Sequence, residues 1–205
     1  MTATAPRAQT LEAERLVLED LIAVEIIDKE VVAFDLEGSG RLATRLLLDE
    51  EVLFHGSRGR VAVVLTNQRM LGATPVSASW QEERYRLTER PLDYASLSQS
   101  LALVVTPVRA LAFFGTGSWA EQTLGPRERV ITTRLGPAAG VVITQRRALG
   151  ISTETGGFFE TKLRLKEEIE TVRAISSIAT ITTSQRVLIF KGSSGLWVEH
   201  DRKLH

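Results

Sequence analysis

A pattern of two apolar runs separated by a polar step recurs along the chain. In Val61–Gly72 the run VAVVL leads into Thr-x-x-Arg and then into a second apolar run. The pattern returns at Leu101–Ala112, Gly140–Gly150 and Ala179–Ile189, with its threonines at Thr66, Thr106, Thr144 and Thr183, which are 40, 38 and 39 residues apart. Short apolar runs bounded by polar turns are typical of β-strands, so the pattern predicts a repeated β-hairpin.

Each hairpin is flanked by one further strand-like run on either side. The preceding runs are Glu51–Ser57, Asp93–Gln99, Arg129–Leu135 and Glu168–Ile175. The following runs are Trp80–Leu87, Trp119–Leu124, Phe158–Leu165 and Trp197–Lys203. The following runs alternate and carry charge, which is typical of exposed edge strands. The sequence therefore predicts four strands in every repeat.

A degenerate copy of the repeat precedes the four regular ones. Its strand-like runs are Leu21–Ile27, Val31–Glu37 and Arg41–Leu48, and Ile27 and Glu30 occupy the positions of the Thr and the Arg. The segment Leu11–Asp20 fits a short helix or a first strand equally well.

We predict a flexible tail over residues 1–10 and a single domain over residues 11–205. The domain divides into units of about 11–49, 50–88, 89–126, 127–166 and 167–205. Four strands in about 40 residues are typical of a β-propeller blade. The predicted fold is therefore all-β, a five-bladed β-propeller of four-stranded antiparallel blades with a degenerate first blade. The repeats carry the marks of no named propeller family.

Two sets of residues recur with the strands. The first set is the Thr-x-x-Arg pair, and the second is an aromatic residue followed two positions later by glutamate. The four copies comprise Thr66, Arg69, Trp80 and Glu82; Thr106, Arg109, Trp119 and Glu121; Thr144, Arg147, Phe158 and Glu160; and Thr183, Arg186, Trp197 and Glu199.

These recurring residues have a structural and a functional interpretation. In the structural one, the Thr hydroxyl bonds the turn, the Arg and Glu pair across adjacent strands, and the aromatic ring fills the gap between blades. In the functional one, the aromatic, Arg and Glu side chains form equivalent pockets for a carbohydrate or small ligand, whose weak sites add through multivalency.

The segment DEEVLFHGSRGRVAVVLTNQRMLG, residues 49–72, also resembles the opening of bacterial pleckstrin-homology-like and GRAM-like domains. In those domains a glutamate-rich start leads into LTxxR and an apolar strand. The resemblance implies a tandem PH-like binding module as a further alternative.

Composition and charge argue against several classes of function. Of 205 residues, 25 are basic and 25 acidic, so the net charge is zero and no basic excess indicates nucleic-acid binding. No apolar run approaches the ~20 residues that span a bilayer, and the N-terminus lacks the apolar core of a secretory signal. The sequence thus favours a soluble cytoplasmic protein.

No arrangement of residues indicates catalysis. The chain has no cysteine, and its three histidines, His55, His200 and His205, have no ligand spacing, so no metal or cofactor is expected. The acidic doublets Glu50-Glu51, Glu82-Glu83 and Glu167-Glu168 are expected to be solvated. We therefore expect a non-catalytic scaffold or accessory subunit that binds another protein.

Overall fold

The computed structural model describes residues 20–87, 89 and 94–202. These residues form nineteen strands in five antiparallel sheets, and in each sheet the strands follow chain order. The predicted tail, and the segment Leu11–Asp20 up to residue 19, lie outside the described residues. Sheet 1 contains β1 (Ile22–Ile27), β2 (Glu30–Asp35) and β3 (Arg41–Arg45).

Sheets 2 to 5 have four strands each. Sheet 2 contains β4 (Val52–Arg58), β5 (Val61–Thr66), β6 (Arg69–Ala73) and β7 (Gln81–Arg84). Sheet 3 contains β8 (Tyr94–Leu97), β9 (Leu101–Val105), β10 (Arg109–Phe114) and β11 (Trp119–Thr123). Sheet 4 contains β12 (Val130–Leu135), β13 (Ala139–Thr144), β14 (Arg147–Ser152) and β15 (Gly157–Lys162). Sheet 5 contains β16 (Ile169–Ile175), β17 (Ile178–Thr183), β18 (Arg186–Lys191) and β19 (Leu196–Asp201).

The two middle strands of each regular sheet hold most of the core. Every residue of β5, β9, β10 and β13 is buried, because each of these strands is covered on both faces by neighbouring sheets. The flanking strands β7, β11 and β19 are more exposed. This difference matches the contrast between continuous apolar runs and charged alternating runs in the sequence.

Successive sheets stack face to face through apolar clusters. Val24 and Val31 of sheet 1 pack against Val64 of sheet 2, and equivalent clusters join each later sheet to the next. In two of the seams between sheets, an aromatic ring packs directly against a glycine. A Cβ on Gly72 would lie 2.6 Å from the Phe113 ring, and one on Gly150 would lie 2.5 Å from the Phe190 ring.

The fold is an all-β, five-bladed β-propeller, which confirms the predicted class and blade number. The first blade has three strands among the described residues. Asp28 and Lys29 close its first hairpin with φ of 47° and 66°, the left-handed pair typical of a two-residue turn. Within the described part of the chain, no extensive strand contact joins sheet 5 to sheet 1.

Two sequence-based expectations need correction. The fourth strand of sheet 2 begins after Trp80 and has four residues, so it is shorter than the predicted Trp80–Leu87. The resemblance of residues 49–72 to PH-like domains does not extend to the fold. Those domains end in a helix, whereas residues 20–87, 89 and 94–202 contain none, and this segment forms a turn and strands β4 to β6.

Candidate functional site

The Thr-x-x-Arg step forms the turn between the second and third strands of sheets 2 to 5. In sheet 5 the Thr183 hydroxyl donates to Glu167 Oε1 at 2.7 Å and accepts the Arg186 N–H at 3.0 Å. The guanidinium of Arg186 binds the same carboxylate at two points, with Nε to Oε1 at 2.8 Å and Nη2 to Oε2 at 3.0 Å. Nη1 donates to Glu199 on β19. One arginine therefore connects the turn before the sheet with its last strand.

The same arrangement, which we call the ion-pair cluster, occurs in each of the four regular sheets. Its members are a glutamate before the first strand, the Thr and Arg of the central turn, and a glutamate of the fourth strand. The clusters are Glu50, Thr66, Arg69 and Glu82; Glu89, Thr106, Arg109 and Glu121; Glu128, Thr144, Arg147 and Glu160; and Glu167, Thr183, Arg186 and Glu199.

Each cluster arginine also reaches the preceding sheet. Its Nη2 donates to the main-chain carbonyl of the residue that ends the last strand of that sheet, at 2.6 to 2.8 Å. The acceptors are the carbonyls of Arg45, Arg84, Thr123 and Lys162. Arg109 additionally binds Glu83 of sheet 2. The arginine thus connects the strands of its own blade and also joins that blade to the preceding one.

A tight turn positions the first glutamate of each cluster. In Gly125-Pro126-Arg127-Glu128, the Glu128 N–H bonds the Gly125 carbonyl at 2.9 Å, and its Oε2 accepts the Gly125 N–H at 2.6 Å. Arg127 has φ of 63°, which with the preceding proline fits a type II turn. The turns at Glu50 and Glu167 repeat both the hydrogen bonds and the positive φ.

Sequence reasoning missed these four glutamates. Glu50, Glu89, Glu128 and Glu167 stand 39 residues apart throughout, a stricter spacing than that of the threonines. The expectation that the doublets Glu50-Glu51 and Glu167-Glu168 are solvated is wrong for the first member of each, whose side chain is 0% exposed. Glu82 and Glu83 are partly exposed, as expected, with side chains 30% and 32% exposed, and they also bind the arginines of consecutive blades.

Each cluster keeps its first glutamate ionised. Burial by itself raises the pKa of Glu128, but hydrogen bonds from Arg147, the Gly125 N–H and Thr144 outweigh it and hold the pKa at about 2. The same balance lowers the pKa of Glu167 to about 2 and lowers the pKa of Glu50 and Glu89. A carboxylate held this strongly in its charged form is unsuited to donate a proton near neutral pH.

The recurring aromatic residues lie in the seams between blades. Trp119 packs into the seam of sheets 2 and 3, where its ring centroid is 5.0 Å from that of Phe113 and its Nε1 donates to the Gln81 carbonyl at 3.1 Å. Trp197 repeats this arrangement in the seam of sheets 4 and 5, with Nε1 donating to the Phe159 carbonyl at 2.9 Å. Phe158 packs in the seam of sheets 3 and 4.

Trp80 occupies the seam of sheets 1 and 2 but differs from its counterparts. Its Nε1 is buried and has no hydrogen-bond partner among the described residues. Sheet 1 also lacks the ion-pair cluster. Glu30 stands at the arginine position and pairs with Arg41 at 3.2 Å near the surface. The first blade is joined to the second by apolar contacts and by the Arg69 bond to the Arg45 carbonyl. In addition, the Leu21 N–H donates to the Gly59 carbonyl at 2.7 Å and the Gly59 N–H donates to Asp20 Oδ1 at 2.6 Å.

Within residues 20–87, 89 and 94–202, no group of three His, Asp or Glu side chains has a geometry that would hold a metal ion. In the same ranges no helix is long and apolar enough to cross a membrane.

No protein-family model and no curated protein matches this sequence. The chain is similar to three solved structures, each aligned over 84% to 90% of its length. HIRA(644-1017) is 11% identical with a TM-score of 0.42, BamB from Moraxella catarrhalis is 12% identical with 0.35, and human WBSCR16 is 8% identical with 0.43. The chain spans 56%, 58% and 65% of the lengths of those three chains.

Proposed function

We propose that this chain is a non-catalytic interaction platform, a rigid β-propeller scaffold or accessory subunit that presents its surface to another protein. The observation that carries the proposal is that the recurring polar residues are already bonded to other groups of the scaffold. All three nitrogens of each cluster arginine are bonded, to carboxylates and to a carbonyl of the preceding blade.

This bonding favours a structural role for the sixteen recurring residues and disfavours the alternative in which they form a ring of ligand pockets. A carbohydrate site needs an aromatic face and polar groups that are free to meet the ligand. Trp119 and Trp197 instead contact Phe113 and Phe190 and donate their N–H groups to main-chain carbonyls. Specificity for a partner would then come from residues that do not repeat. A cytoplasmic location remains part of the proposal.

Affinity capture from the native cell, with the folded chain as bait and mass spectrometry as readout, tests the platform. We expect one specific protein to be enriched with the folded bait and absent with heat-unfolded bait. The proposal is contradicted if no protein is enriched while a glycan array shows several saturable sites per chain. In that case the carbohydrate-binding alternative would replace it.

A further inference from the structure

A groove of about 690 Å³ runs beside β12, between sheets 3 and 4. We define the β12 groove by Val105, Leu124, Arg127, Arg129, Ile131 and Arg134, which are among the residues that line it. Its volume falls within the range of ligand-binding pockets. The lining combines an aliphatic floor with three exposed arginines.

The three arginines take no part in the ion-pair clusters. Arg134 donates to the neighbouring Thr133 carbonyl, and no carboxylate of the described residues pairs with Arg127, Arg129 or Arg134. The carboxylate in the groove wall, Glu128, is already bound by Arg147 at two points. The described part of the groove thus carries a local positive charge in a chain whose net charge is zero.

Comparison between blades shows that this charge is particular to sheet 4. The residues on either side of the cluster glutamate are Arg127 and Arg129 in sheet 4. In sheet 2 the same positions hold Asp49 and Glu51, and in sheet 5 they hold Lys166 and Glu168. The two flanking residues are therefore both negative in sheet 2, both positive in sheet 4, and one of each sign in sheet 5. Because sheets 2, 4 and 5 keep the same turn with these three different combinations, the two arginines are not required by the fold.

An aliphatic surface is present beside this charge. Ile131 is 56% exposed, and Leu124 and Val105 form the wall towards sheet 3. An exposed isoleucine next to arginines that pair with no carboxylate of the described residues suits a ligand that has both a carboxylate and an apolar side chain. We propose that the β12 groove binds an acidic peptide segment of a partner protein, with its carboxylates on the arginines and an apolar side chain against Ile131. This inference rests on the proposed platform function.

Fluorescence anisotropy tests the groove with the full chain and the labelled peptide Gly-Asp-Glu-Leu-Asp-Glu-Gly. We expect saturable binding at low ionic strength and weaker binding at high salt. The variant Arg127→Asp/Arg129→Glu introduces the residue types that sheet 2 carries at the same positions, Asp49 and Glu51, so its thermal unfolding should be unchanged. It should weaken peptide binding by about tenfold or more.

The matched control is Lys166→Asp/Arg173→Glu, which makes the same change in net charge on exposed residues of sheet 5. It should change binding by less than about twofold. The groove proposal is overturned if both double variants weaken binding equally, or if the peptide with lysine in place of each acid binds as well. Full competition by free citrate would also overturn it, because the groove would then take a small anion.

The platform and the groove can fail separately. Capture of a specific partner by both the wild type and Arg127→Asp/Arg129→Glu overturns the groove and leaves the platform intact. Loss of that partner only in the groove variant supports both. If no partner is captured and the glycan array shows saturable sites, the platform is contradicted, whereas the peptide measurement still decides whether the groove binds acidic segments.

Discussion

Glu167 and Arg186 are 19 residues apart in the chain and form a two-point ion pair whose side chains are 0% and 3% exposed. An ion pair shielded from water in this way is costly to break, because removal of one partner leaves a charge without compensation. The same pair occurs in four sheets, and each copy also holds the last strand of the preceding blade. The clusters therefore determine how the blades are joined as well as how each is closed.

The doublet Glu167-Glu168 allows a direct test of this role. We expect Glu167→Gln to lower the free energy of unfolding by roughly 2–4 kcal/mol, because Arg186 loses its charged partner on the buried side. Glu168→Gln changes an exposed neighbour and should have an effect within about 0.5 kcal/mol. Urea unfolding of the two variants and the wild type provides the measurement. Equal stability of the two variants would contradict a structural role for the cluster.

Stability should also depend on acid pH. The pKa of Glu128 and of Glu167 is about 2 in the folded chain and ordinarily 4.5, so the unfolded chain binds more protons between these values. Their contribution is therefore fully present above about pH 4.5 and is lost as the pH falls towards about 2. A shift of this size corresponds to roughly 3 kcal/mol for each carboxylate.

Urea unfolding between about pH 7 and pH 3 measures this effect. The difference in stability between the wild type and Glu167→Gln should shrink as the pH falls, because protonation removes in the wild type what the substitution has already removed. A difference that stays constant over this range would show that the Glu167 carboxyl keeps an ordinary pKa in the folded chain.

Close packing at the glycines of the third strands gives a further prediction. A Cβ at position 150 would lie 2.5 Å from the Phe190 ring, so we expect Gly150→Ala to cost about 1–3 kcal/mol by overpacking. Gly157→Ala is the control, because the nearest atom to its new Cβ lies 3.9 Å away and its φ is not positive. Thermal unfolding compares the two. Recovery in Gly150→Ala/Phe190→Leu would identify the ring as the obstacle.

The fold was accessible from the sequence because its determinants are local and repeat. Apolar runs of five or six residues and the Thr-x-x-Arg step recur near a period of 39, and this was sufficient to predict five blades. The residues at which strands begin and end were harder to predict from the sequence. Nothing in the sequence distinguishes Trp80, just before β7, from Trp119, which begins β11.

The site was only partly accessible, for a physical reason. The second glutamate of each cluster was found because it follows an aromatic residue at fixed spacing. The first was missed because an acid in a polar turn has the same sequence appearance whether it is solvated or buried. Its burial depends on the arginine of a distant turn, as Glu50 and Arg69 show. The strict spacing of 39 residues was the one signal that could have identified it.

The seam tryptophans distinguish the structural role from the ligand-binding alternative. Trp119 donates to the Gln81 carbonyl, whereas the equivalent N–H of Trp80 has no partner among the described residues. Replacement by phenylalanine removes the same part of the ring at both sites, but only at Trp119 does it also leave a carbonyl without its donor. Trp119→Phe should therefore lower the free energy of unfolding by about 1 kcal/mol more than Trp80→Phe.

Trp197→Phe should behave like Trp119→Phe, because its Nε1 donates to the Phe159 carbonyl in the same way. Urea unfolding of the three variants, with a glycan array run in parallel, separates the two interpretations. If the tryptophans serve the scaffold, Trp119→Phe and Trp197→Phe lower the free energy of unfolding more than Trp80→Phe does. Glycan binding is then absent from wild type and variants alike. If they serve a ligand, the three variants have similar stability and lose a glycan signal that the wild type shows.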